Sequence, residues 1–198
     1  MRALRAVVLV LIAACARPPP ASPKPADPVR AEIELAEAAE KQRQHLVARE
    51  HYEKAVAAAR DPASLAFARR EFGETLATWG ENAEARVQLE ASVAAVPTDP
   101  IAWQMLGILR HKLGDIPGAF AALEKSKALA PRAWIPRRDL AVLHWSLGEG
   151  RTADPDPATA TQHRAAALAE YQAMLDLDLP PRLREKVEWA IDVLLKPR

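Results

Sequence analysis

An all-α fold built from about four helix-turn-helix units and a C-terminal capping helix is what this sequence predicts. Three observations carry that reading. The 198 residues are 49% apolar but only 5% aromatic, with seven Gly against seventeen Pro, and Ala and Leu supply most of the apolar share, unlike the β-branched, Gly-punctuated composition of sheets. Large-small pairs recur at Leu35-Ala36, Phe72-Gly73, Leu106-Gly107 and Leu140-Ala141, separated by 37, 34 and 34 residues. Prolines at 62, 97, 131 and 180 punctuate the intervals where helices must stop.

The first thirty residues read as an address. Met1 to Arg5 holds two arginines and no acid, Ala6 to Ala14 is wholly apolar, and Cys15, the single cysteine of the chain, follows at once. Nine apolar residues rise only about 14 Å as a helix, against roughly 30 Å of hydrocarbon, so the stretch is an export signal and not a membrane span. The run Ile12-Ala13-Ala14-Cys15 resembles the bacterial lipoprotein box, which implies cleavage before Cys15 and acylation of its thiol. Ile12 stands where that family most often has Leu. A plain secretory signal with an accidental cysteine, or a cytoplasmic chain with a greasy start, are the alternative readings.

Residues 1–14 are thus the expected signal peptide, and 15–28 the lipidated cysteine and its linker. Six prolines between Pro18 and Pro28 disfavour helix and favour an extended spacer of about 3.1 Å per residue. Ala16 stands where inner-membrane lipoproteins of many Gram-negative bacteria have Asp. That resemblance implies an outer-membrane lipoprotein facing the periplasm. With one cysteine, structural disulfides within the chain are excluded.

From Val29 to Lys196 the apolar residues follow helical spacing. Thirteen residues after the large member of each pair comes Ala48, Ala85 or Ala119, followed four later by Tyr52, Leu89 or Leu123. The fourth unit places Ala167 and Tyr171 about fourteen residues late, so an insertion is expected at about 148–162, with Asp156-Pro157 as N-cap and first turn. Small residues allow two antiparallel helices to cross closely, and the large residue beside each fills the adjacent hole. Leu183, Val187, Ile191 and Leu194 form one apolar stripe on a final capping helix.

This register resembles the tetratricopeptide repeat, whose unit has Trp, Leu-Gly, Tyr, Ala, Phe, Ala and Pro at fixed offsets. The third unit fits best, with Trp103, Leu106, Gly107, Ala119, Leu123 and Pro131 in place. Arg110 stands where the family has tyrosine, and Ser126 where it has the late alanine. The resemblance implies a right-handed superhelix over about residues 29–180, with a concave face formed by the first helix of each unit.

Charge excludes some functions. The formal balance is +1, and removal of Arg2 and Arg5 with the signal makes it −1, with no cationic track for nucleic acid. No His-Glu-x-x-His, Gly-x-Ser-x-Gly or phosphate-binding loop occurs, so no enzyme, cofactor or metal is expected. His45, His51, His111, His144 and His163 share no ligand spacing, and Asp154 and Asp156 read as a cap and a solvated loop rather than a cation site.

The expected site is therefore a protein-binding groove. Counting units from Val29, Ala66, Pro100 and Trp134, the fifth positions are Ile33, Arg70, Gln104 and Arg138, the ninth Glu37, Glu74, Ile108 and Val142, and the twelfth Glu40, Ala77, His111 and Trp145. Units one and two present acids; units three and four present Ile108, Val142 and Trp145 flanked by Gln104, Lys112 and Arg138, with Arg70 before them. No Asn lies at these positions, which sets the chain apart from the carboxylate-clamp members of the family. Trp145 beside Arg138 is the expected anchor, unless the last helices or the insertion cover it. The chain is generally similar to pilotin-like lipoproteins that help secretins of type IV pilus or secretion machines assemble in the outer membrane. The resemblance implies an envelope protein as partner, such as a secretin subunit, and attachment to the membrane through the N-terminal lipid. An adaptor for cell-wall enzymes or outer-membrane-protein assembly, or a self-associating structural lipoprotein, are the other readings.

Overall fold

The computed structural model describes residues 27–149 and 157–196. The signal, Cys15, the linker as far as Ala26, the Asp154 and Asp156 carboxylates and the expected Asp156 cap lie outside the described residues. Within them are nine helices and no strand: α1 (Pro28–Lys41), α2 (His45–Ala58), α3 (Pro62–Trp79), α4 (Asn82–Ala95), α5 (Pro100–Lys112), α6 (Ile116–Leu129), α7 (Trp134–Gly148), α8 (Pro157–Leu175) and α9 (Pro181–Leu195).

Local chemistry explains where the helices begin. Asp27, Asp61 and Asp99 each precede a proline and accept hydrogen bonds from backbone N–H groups of the first turn, while Asp115 accepts from Gly118 N at 3.0 Å. Asp61 and Ser64 complete a reciprocal capping box. Proline at the first helical position lacks only an N–H that would be orphaned there. Pro62 therefore opens the second unit rather than closing the first.

Helices pair as α1/α2, α3/α4, α5/α6 and α7/α8, and α9 packs on α8. The first helices also touch in series, α1 to α3, α3 to α5 and α5 to α7, which sets them side by side along one face. Ala48, Ala85, Ala119 and Ala167 are all fully buried at the crossings. In the middle units, Ser92 donates to Ala66 O at 2.8 Å and Ser126 to Pro100 O at 2.7 Å. The serine that replaces the late alanine thus ties each second helix to the start of its own first helix, and its buried hydroxyl is satisfied.

Two departures from the simple period have physical reasons. The three extra residues between units one and two are absorbed as added length in α3, which has 18 residues against 14 in α1. The late insertion likewise lengthens α8 to 19 residues, so part of 148–162 is helix from Pro157 onward. Leu35 is a plain correction: it is 50% exposed, whereas Phe72, Leu106 and Leu140 are buried. Those three positions face the preceding unit, as when Phe72 stacks on Tyr52 with ring centroids 5.4 Å apart. No unit precedes α1 among the described residues, which leaves the outer half of Leu35 open.

The capping helix buries Val187, Ala190 and Leu194 and half-buries Leu183 and Ile191. It joins Tyr171, Met174 and Leu179 in a cluster at the end of the array. Arg164 fastens this end by donating to the backbone oxygens of Val193, Leu194 and Lys196, placing a cation at a helix C-terminus where the dipole favours it.

Candidate functional site

The face of stacked first helices carries the expected groove residues, but they divide into two kinds. Two of the fifth positions, Arg70 and Gln104, hold units together. Arg70 is only 16% exposed; it pairs with Glu71 and with Asp99, the cap of α5, at 2.9 Å, and lies over the Phe67 ring. Gln104 of α5 donates to Asp139 of α7 at 2.6 Å. Arg138 pairs with the same Asp139 and sits over Trp134, 5.4 Å from its ring centre. Of these, Arg70–Asp99 and Gln104–Asp139 span consecutive units, whereas the Arg138 contacts lie within α7.

The ninth positions stand free. Glu37 and Glu74 are exposed, and Ile108 and Val142 are 43% and 47% exposed. Large aliphatic side chains left open at equivalent places on two successive helices form an apolar ridge that water wets unfavourably. Lys112, one turn beyond Ile108, donates to Ala77 O at 3.2 Å near the end of α3.

Three recesses open between these helices. The first, of about 330 Å³, lies between α1 and α3 and is lined by Glu37, Glu40, Lys41, Tyr52, Glu71, Glu74, Thr75 and Thr78. The second, of about 250 Å³, continues from it between α3 and α5; Glu74 and Thr78 form the shared wall, and Ala77, Leu89, Met105, Ile108, Leu109 and Lys112 complete it. The third, of about 320 Å³, is lined by Val142, Trp145, Ser146, Glu149 and Tyr171.

Trp145 belongs partly to the core. It meets Tyr171 edge-on, with centroids 6.1 Å apart, and Trp189 of α9 lies tilted against it at 6.1 Å. Trp189 is 62% exposed, so the aromatic surface at this end is shared between α7 and the cap. Sequence reasoning missed Met105, which lies three residues before Ile108 on the same helix face, and it missed Trp189 and Tyr171 as groove neighbours of Trp145.

Electrostatics differs along the groove. Although its side chain reaches solvent, Glu74 is partly desolvated by the recess wall, and this first, then the neighbouring Glu71, holds it above the usual carboxylate range; Glu40 acts in the same direction and Arg70 against it. Burial likewise pushes the Tyr52 hydroxyl up to about 12 although Thr75 donates to it at 3.0 Å. Away from the groove, His144 and His163 approach with Nδ1 atoms 3.0 Å apart beside Phe120. Among the described residues no three His, Cys, Asp or Glu groups converge as metal ligands, and no helix is long and apolar enough to cross a membrane.

No family model and no curated protein matches this sequence. Solved structures do resemble it. MamA aligns with a TM-score of 0.56 at 17% identity over 85% of this chain and 87% of that one. Pseudomonas aeruginosa PilF gives 0.55 at 17% identity over 84% and 72%, and a Bacteroides ovatus protein described as protein-binding gives 0.52 at 12% over 84% and 96%. The fold is a tetratricopeptide-type superhelix. Along this array the second and third units have glycine at the crossing, Gly73 and Gly107, and the first and fourth have Ala36 and Ala141.

Proposed function

We propose that the chain is a lipid-anchored scaffold without chemistry of its own, which binds another protein of the cell envelope along its stacked first helices. The partner we favour is an outer-membrane secretin subunit, whose assembly the scaffold assists from the periplasmic side. One observation carries the binding reading: Ile108 and Val142 stand exposed at equivalent positions of adjacent first helices, an apolar ridge with no covering element among the described residues. The likeness in fold to PilF and to a Bacteroides ovatus protein described as protein-binding supports it. The anchor rests on the layout of Met1 to Cys15.

Capture of the full chain from crosslinked, detergent-solubilised envelopes tests the reading, comparing wild type with an Ile108→Asp/Val142→Asp double variant. A secretin recovered with wild type and lost with the variant is the expected result. Equal sets of proteins from both would overturn the groove as the binding face, and a wall synthase or hydrolase in place of the secretin would overturn the choice of partner.

A further inference from the structure

The scaffold reading leaves open what kind of segment the groove takes, and the two continuous recesses of units one to three answer it. Their shared wall is Glu74 and Thr78 of α3. On the α1 side the lining is acidic; on the α5 side Met105, Ile108 and Leu109 make it apolar.

Some acids of the array are held by cations from a neighbouring helix. On the second helices, Arg49 holds both Glu81 and Glu84, and Lys127 holds Glu124 and Glu170. In the groove, Glu71 is matched by Arg70, while no ion pair within the described residues reaches Glu37, Glu40 or Glu74. Lys41 is the sole cation of that lining. Glu74, partly desolvated in the recess, is held above the ordinary carboxylate range; like-charge repulsion from Glu71 and then Glu40 adds to this, and Arg70 opposes it. A cation entering the recess removes the repulsion, so the folded array carries a built-in preference for positive charge at this place. The apolar recess alongside gains when an aliphatic side chain displaces water from Ile108 and Met105.

We propose that the groove formed by α1, α3 and α5 receives a protein segment bearing two or more Lys or Arg residues next to large aliphatic residues. The cations lie on Glu37, Glu40 and Glu74, and the aliphatic side chains enter between Met105 and Ile108. This rests on the scaffold reading and specifies the partner's chemistry. The same charges oppose anionic lipid and nucleic acid as occupants.

The test uses the purified full chain and three synthetic peptides read by fluorescence anisotropy: one with Lys-Arg-Lys followed by Leu-Ile-Leu, one with Glu in place of the three cations, and one with Ser in place of the three aliphatic residues. The basic-aliphatic peptide should bind wild type about tenfold more tightly than either control, since the acidic control loses the exposed ion pairs and the Ser control loses the apolar contacts. In Glu37→Gln/Glu40→Gln/Glu74→Gln the preference over the acidic peptide should fall to about twofold or less, with helical content unchanged and melting no lower. In Ile108→Asp the preference over the Ser peptide should disappear. Equal binding of basic and acidic peptides by wild type, or a charge preference that survives the triple variant, would overturn the inference. A secretin captured through Ile108 and Val142 without any charge preference among the peptides would leave the scaffold reading standing and remove this one. A charge preference with no envelope protein captured would do the reverse.

Discussion

A Cβ placed on Gly107 would lie 2.7 Å from Leu123 Cγ, and one on Gly73 would lie 2.8 Å from Leu89 Cγ. The two middle units thus share one solution to the crossing of their helices: glycine on the first, leucine sixteen residues later on the second. Units one and four hold Ala36 with Tyr52 and Ala141 with Tyr171 in the same register, all buried. Leucine branches close to its backbone and needs the missing methyl opposite; a flat ring at that place leaves room for alanine.

Gly107→Ala should therefore destabilise the domain although alanine favours helix. Overpacking costs about 1–3 kcal/mol and the gain in helix propensity returns about 1 kcal/mol, for a net loss of up to about 2 kcal/mol. Urea unfolding of Gly107→Ala, Leu123→Ala and the double variant should show that the double loses less than the sum, because the smaller side chain accepts the new methyl. Strict additivity would mean the two residues do not meet as described.

Arg43 adopts φ 59, at the register position where the next two units have Gly80 at φ 88 and Gly114 at φ 82. A left-handed residue with a Cβ costs about 1–2 kcal/mol, of which glycine's larger unfolded-state entropy takes back about 0.5–1 kcal/mol. Arg43→Gly should raise the melting temperature by a few degrees, about what 0.5–1 kcal/mol produces in a domain of this size. An unchanged or lower value would show that the arginine side chain contributes more than its backbone conformation costs.

Burial, and next the adjacent His163, holds His144 below the ordinary imidazole value of 6.5; Glu170 and Glu124 oppose this and Lys127 adds to it. The folded chain therefore prefers neutral His144. Its contribution to stability is complete above 6.5 and declines as the pH falls through that value toward the lower folded one. Melting temperature should drop between about pH 7 and pH 5, and His144→Gln should flatten that part of the profile. Parallel profiles would assign the acid sensitivity to other groups.

Tyr52 and Tyr171 are the two tyrosines of the chain, and burial is the first cause of a raised hydroxyl pKa in both, to about 12 for Tyr52. Phenolate absorbance should stay low through the ordinary range near 10 and rise only as the pH approaches unfolding. The preference for neutral tyrosine is whole below about 10 and lost as the pH climbs toward 12, so Tyr52→Phe should reduce the alkaline loss of stability. Early titration of one tyrosine equivalent in the folded protein would contradict the burial.

Cys15→Ser should abolish lipidation in a cell that processes lipoproteins, leaving a precursor with its first residues uncleaved. Mass spectrometry and membrane fractionation read both outcomes. A variant of normal mature mass that stays on membranes would remove the anchor.

Much of the fold was legible because the crossings depend on residues within one unit. Gly107, Ala119 and Leu123 lie close enough in sequence for spacing to reveal them, and the apolar stripe of α9 is a property of that helix alone. Leu35 was misplaced because burial at its position depends on a preceding unit, which periodicity does not supply. The groove was less legible for a related reason. Arg70 meets Asp99 and Gln104 meets Asp139 across 29 and 35 residues, and nothing local distinguishes an arginine that ties two units from one left for a partner. His144 and His163 share no ligand spacing in sequence, and their approach is invisible there because they meet from different helices, 19 residues apart.

The matched crossings also set rules for how such a gene can recombine. A breakpoint between codons 107 and 123 that joined the head of unit four to the tail of unit three would press the Ala141 methyl into Leu123. The reciprocal product would leave Gly107 facing the ring of Tyr171 across a gap. Breakpoints in the loops around Pro97 and Pro131 keep each pair intact and leave only the ties between units, such as Arg70 with Asp99 and Gln104 with Asp139, to be matched again. Each unit is keyed within itself, and its halves are not interchangeable with those of a neighbour.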